Sequence, residues 1–110
     1  MPEQYLPAIY EQFRRDYPDI ASAYADLSGK LHDSGPLDPR TRRLVKLAVA
    51  VGAESEGAVR SHVRKALAEG FSVAEIEHAI LLSLTTAGFP VMIAALKWAR
   101  EVLQASETAE

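Results

Sequence analysis

Apolar residues recur along this chain at a helical period from one end to the other. Leu6, Ile9 and Phe13 share one stripe that ends near Tyr17 and Pro18. Asp19 is placed to cap a second helix carrying Ile20, Ala23, Tyr24 and Leu27, which runs out in the polar stretch His32-Asp33-Ser34-Gly35-Pro36. Leu37-Asp38-Pro39 then gives a start signal, an aspartate in the N-cap place followed by proline at the first helical position. Leu44, Leu47, Ala48 and Val51 continue as a buried stripe, closed by Gly52 and Ala53. A fourth helix, with Ser55 as its expected cap, runs to Gly70, where glycine can take the left-handed C-cap conformation.

Ser72-Val73-Ala74-Glu75 has the spacing of a capping box. The helix it opens, through Ile76, Ala79, Ile80, Leu81, Leu82 and Leu84, is apolar around most of its circumference and is expected at the centre. It stops at Ala87-Gly88-Phe89-Pro90. A last helix carries Val91, Ile93, Ala94, Leu96, Trp98, Val102 and Leu103, before a polar tail from Ser106 that is expected to fray. No segment alternates in the manner of a strand. The expectation is an all-α, compact bundle of about six helices. It forms one domain over residues 1–110, with a core spanning about 5–103 and a tail at 106–110. So many apolar faces exceed what a short bundle covers, which points to a homo-oligomer.

Composition narrows the function more than the fold. At 110 residues, 48% hydrophobic and 25% charged, the chain has the make-up of an ordinary globular domain. A net charge of -3 supplies no basic field for nucleic acid or a membrane surface. The cluster Arg40, Arg42, Arg43 and Lys46 is read as a solvated helix face or a subunit contact in preference to a phosphate site. The segment MPEQYLPAIY lacks a secretory pattern, and cytoplasmic location is expected. With no cysteine there is no disulfide framework and no thiol chemistry.

Few residues are left to carry a reaction. His62 is flanked at helical spacing by Ala58, Val59, Val63, Ala66 and Leu67, so it lies on or beside the buried face of its helix. There an imidazole needs a hydrogen-bond partner and its pKa can move. A satisfied core or interface histidine and a functional one both fit that placement. His78, near Glu75 and Glu77, and His32, at a helix end, need no function. Glu54 and Glu56 do not make a compact metal-ligand set with His62, and no metal or cofactor is called for. Ser61 precedes His62, but adjacent helix positions point about 100° apart and cannot form a nucleophile–base pair.

Taken in order, four segments resemble a known family. Leu37-Asp38-Pro39-Arg40-Thr41-Arg42-Arg43-Leu44, Ser61-His62-Val63-Arg64-Lys65-Ala66-Leu67-Ala68-Glu69-Gly70, Ser72-Val73-Ala74-Glu75-Ile76 and Ala87-Gly88-Phe89-Pro90 are similar to successive motifs of the carboxymuconolactone decarboxylase and alkyl hydroperoxidase D superfamily. The resemblance covers about residues 5 to 103. It implies a helical fold that assembles as trimers or hexamers. In the peroxidase branch a CxxCxxxH motif and an upstream glutamate do the redox work. The histidine matches His62, the cysteine positions fall on Ser55 and Ala58, and the glutamate falls on Arg43. Serine cannot replace a redox thiol, so that activity is expected to be absent. The decarboxylase branch carries a glutamate at the position of Ala58 and a second histidine near Leu82, neither present here.

The resulting expectation is a small-molecule enzyme of lyase or isomerase type. His62 would be its general acid/base, with Arg43, Ser55, Ala58 and Arg60 at the substrate site and Arg64 as a further candidate clamp. A catalytically silent oligomer that binds a ligand or partner is the alternative, and a metal site shared between subunits is another.

Overall fold

In the computed structural model, which describes residues 8–109, every regular element is helical. The elements are α1 (Ala8–Asp16), α2 (Pro18–His32), α3 (Pro39–Gly52), α4 (Glu56–Ala68), α5 (Val73–Leu81), the single turn α6 (Leu84–Ala87) and α7 (Phe89–Ala109). The all-α expectation holds, with six full helices and one extra turn among the described residues. Leu6 lies outside the described residues. No described helix is long and apolar enough to cross a membrane. The chain divides into two units, residues 1–37 and 38–110, taken in turn.

The first unit holds α1 and α2. Pro18 sits in the first turn of α2 with Tyr17 at the cap, so the helix starts earlier than a cap at Asp19 implies. Proline's fixed φ suits that first turn, and Asp19 falls inside it, where a carboxylate favours the helix dipole. Neither α1 nor α2 buries a single side chain.

The second unit is built around one core. Leu47 and Val51 of α3, Val59 and Val63 of α4, and Ile76 and Ile80 of α5 are all but sealed from solvent. Met92, Ala95, Leu96, Ala99, Val102 and Leu103 close the core from α7 at alternating three- and four-residue spacing. Local chemistry fixes where these helices begin. Asp38 caps α3 by accepting from the Thr41 amide at 2.8 Å. Those bonds hold its carboxyl below the usual range. At α5 the capping box is complete: the Glu75 amide donates to Ser72 Oγ at 3.0 Å and the Ser72 amide to Glu75 Oε1 at 2.9 Å. Gly70 ends the turn after α4 with φ +93, a conformation glycine adopts without strain.

Three expectations change. Ser55 is the N-cap residue of α4 but makes no side-chain capping bond. α5 is shorter than its apolar pattern and is not central all round. The Ser83 hydroxyl and amide both donate to the Ile80 carbonyl, tightening and ending the helix, and Leu81, Leu82 and Leu84 are exposed. The C-terminal segment is helical to Ala109 instead of fraying from Ser106.

Candidate functional site

The candidate site lies between α3 and α4 and is organised by Arg43. Arg43 is a charged side chain with almost no solvent exposure, 7%, which corrects the solvated-face reading of the cluster at this residue, while Arg40 stays about half exposed. The buried Arg43 guanidinium must have its donors satisfied. Its Nε and Nη2 donate to the two carboxylate oxygens of Glu69 at 2.9 and 2.8 Å, a bidentate pair. Its Nη1 lies 2.9 Å from Nδ1 of His62. The surroundings of the cluster differ in kind. Arg40 bonds Glu75 and stacks on the Phe71 ring, its guanidinium carbon 4.0 Å from the centroid.

The Arg43–His62 bond fixes the imidazole chemically. A guanidinium only donates, so Nδ1 must accept, and the single proton of the neutral ring resides on Nε2. Partial burial and the Arg43 charge, followed by those of Lys65 and Lys46, press the His62 pKa down to about 4, with Glu69 opposing them. At neutral pH, His62 is therefore an uncharged Nε2–H donor. Among the described residues, no side chain accepts from that N–H.

Helix geometry decides which expected site residues join it. On α4, Ser55, Ala58, Lys65 and Glu69 stand seven before, four before, three after and seven after His62 in sequence, all on one face. Ser55, at the N-cap, is exposed, and Ala58 is half-buried against the core. Arg60 does not share that face. Two positions from His62, it is rotated by roughly 200° around the helix. Its guanidinium bonds Glu56 at 3.1 Å and also Glu101 of α7. Arg64 is on the far side for the same reason. Leu82, at the end of α5, is exposed. Glu75 and Glu77 bond Arg40 and Arg100 and not His78. No group of three or more histidine, aspartate or glutamate side chains among the described residues is arranged to hold a metal.

Sequence reasoning missed Glu69 and Lys65. Their signal was present in the spacing from His62, but the identity of Glu69's partner depends on how α3 packs on α4.

The comparisons agree on the family and the fold. A model of the carboxymuconolactone decarboxylase family matches residues 18–101. An uncharacterized protein of Methanocaldococcus jannaschii, MJ1511, is 29% identical over 100 residues, covering 90% of this chain and 94% of that protein. A carboxymuconolactone decarboxylase family protein of Legionella pneumophila, apo-lpg0406, superposes with a TM-score of 0.73 at 19% identity, over 86% of this chain and 85% of that one. TM1620 of Thermotoga maritima superposes with a TM-score of 0.67 at 20% identity, over 91% and 90%.

Proposed function

Because the chain belongs to the carboxymuconolactone decarboxylase family, and has no cysteine, we propose that it is a small-molecule enzyme of lyase or isomerase type that works through His62 without thiol chemistry. The observation that carries this reading is the Arg43–His62–Glu69 network. A buried arginine held by a bidentate carboxylate is a rigid support, and one polar edge of the imidazole is unclaimed by any side chain among the described residues.

His62 then handles a proton as a neutral acid. Nε2–H donates to a substrate oxygen on which charge develops, and the same nitrogen receives the proton back as that charge collapses. Neutral imidazoles held in this way act as electrophiles toward carbonyl oxygens. Arg43, hydrogen-bonded to the other nitrogen, stabilises the ring while its proton is shared. Ser55 and Ala58 border the substrate on the same face of α4.

Self-association into a trimer or hexamer accompanies this reading. Its support is the exposed apolar surface: Ile20, Tyr24, Leu27 and Leu31 on α2, Val45 and Val49 on α3, and Leu81, Leu82, Phe89 and Ile93 further on.

The test is turnover of carboxylated lactones and β-keto acids by the wild-type protein and by His62→Ala. The expected result is turnover that falls about 10²–10⁴-fold in the variant, the usual loss when an acid–base group is removed. Equal turnover by both proteins would remove His62 from the reaction. Binding without turnover by either would favour the silent, ligand-binding reading.

A further inference from the structure

Of the nine arginines and lysines of residues 38–110, four are held in ion pairs by the protein itself. Arg40 pairs with Glu75, Arg43 with Glu69, Arg60 with Glu56 and Glu101, and Arg100 with Glu77. Arg64 and Lys97 form no such pair among the described residues, and neither do Lys46 and Lys65.

Lys46 and Lys65 belong to the neighbourhood of His62. Lys46 stands one turn after Arg43 on α3, and Lys65 stands one turn after His62 and one turn before Glu69 on α4. Three- and four-residue spacing puts each on the face of its helix that carries the network. The charges that act most on the imidazole are those of Arg43, Lys65 and Lys46, opposed by Glu69. Three cations meet one anion there, in a chain whose net charge is -3. Partial burial, then Arg43, Lys46 and Arg64, hold the Lys65 pKa below its usual value, so the cluster works against its own charge. A bound anion relieves that repulsion.

The residue types narrow the anion. Arginine forks suit planar carboxylates, and here Arg43 is already engaged by a carboxylate of the protein. What remains is two point-charge ammonium groups and one N–H donor. Two ammonium charges match a compact dianion, whose charge sits at a single centre, and leave the N–H donor to the reacting oxygen. We propose that Lys46 and Lys65, beside His62, form a binding subsite for a phosphoryl group, so that the small-molecule ligand whose reacting oxygen meets the Nε2–H of His62 is a phosphate ester. The inference rests on the reading of His62 as a ligand-contacting residue and names the class of ligand it contacts.

Inorganic phosphate is the probe, followed by two-dimensional NMR of the whole chain, with acetate at matched ionic strength as the comparison. Phosphate is expected to shift the His62 ring and the amides around Lys46 and Lys65 saturably, and acetate much less. Lys46→Gln and Lys65→Gln, with helicity checked by circular dichroism, should each weaken phosphate binding about tenfold or more, the loss expected for one charge-assisted contact. Acetate binding as well as phosphate, or phosphate binding undiminished in both variants, overturns the proposal. Turnover of a non-phosphorylated substrate that depends on His62, with no phosphate binding, would also sink the subsite while leaving the reaction intact. Phosphate binding with turnover indifferent to His62→Ala would do the reverse.

Discussion

Helices α2 and α7 are written in the same pattern, apolar residues every third or fourth position, and they end in different circumstances. On α7 the stripe Met92, Ala95, Leu96, Ala99, Val102 and Leu103 is buried in the core of its own unit. On α2 the stripe Ile20, Tyr24, Leu27 and Leu31 leaves each side chain more than half exposed. A periodic stripe thus specifies a face that wants covering, and says nothing about what covers it. For α7 the partner is the same chain. For α2 the self-association proposed above supplies one.

Substitutions separate the two cases, and the core substitution has the larger effect. Leu47→Ala, at a position with no solvent exposure, is expected to cost about 2–5 kcal/mol in urea unfolding, the range for truncating a buried leucine. Leu27→Ala on α2 should cost less than about 1 kcal/mol at low protein concentration. It should instead lower the mass seen by sedimentation at high concentration. An equal loss in both variants at every concentration would mean that α2 is buried within a single chain, and the contrast would be gone.

The same distinction between pattern and partner applies at the site. Arg43→Met removes the bonds that Arg43 donates to the Glu69 carboxylate and to His62 Nδ1, and is expected to cost about 2 kcal/mol, the scale for lost hydrogen bonds to charged groups. Lys30→Met on α2 removes a pair with Asp26 in which both side chains are mostly exposed, and should stay within about 0.5 kcal/mol. Thermal melts of the two variants side by side check this. Comparable losses would show that Arg43 is no better supported than a surface charge.

A smaller effect depends on pH. Lowering the His62 pKa to about 4 from an ordinary 6.5 means that the unfolded chain binds this proton more readily than the folded one. Stability is therefore undiminished by His62 above the ordinary value. It falls as pH drops from about 6.5 toward 4, by at most about 1.4 kcal/mol per pH unit. The groups acting on the ring are Arg43, Lys46, Lys65 and Glu69. Losses at lower pH belong to carboxyls such as Asp38 and Glu75, whose pKa values are held down by hydrogen bonds. In His62→Gln the slope between pH 6.5 and 4 should flatten. An unchanged slope would place its origin elsewhere.

What the sequence made legible follows the same line. The helices, the Asp38 start and the Ser72–Glu75 box are local, set by residues within one turn of each other, and they were readable as such. His62 was readable as a residue on or beside a buried face. Arg43 was readable as a neighbour in the site, but not its bonds to His62 and Glu69, which form only when α3 packs on α4, 19 and 26 residues away in the chain. Nor was the exposure of Leu81, Leu82 and Leu84 readable, since a run of leucines looks the same whether it faces a core or a surface that another copy would cover.

Ser72 and Ser55 reduce this contrast to single hydroxyls. Both occupy N-cap positions in extended backbone, and both are read from sequence as caps. Only Ser72 accepts a bond from its helix, at 3.0 Å from the Glu75 amide, and Glu75 reciprocates. Ser72→Ala removes the acceptor and leaves an amide at the start of α5 to water alone, which should cost about 1 kcal/mol. Ser55→Ala removes a hydroxyl that caps nothing, and should change stability by no more than a few tenths of a kcal/mol. Equilibrium unfolding of the pair under one set of conditions makes the comparison direct. A matching loss at Ser55 would mean that its hydroxyl does cap α4 in solution, and that the shared pattern, not the observed bond, predicts the energetics.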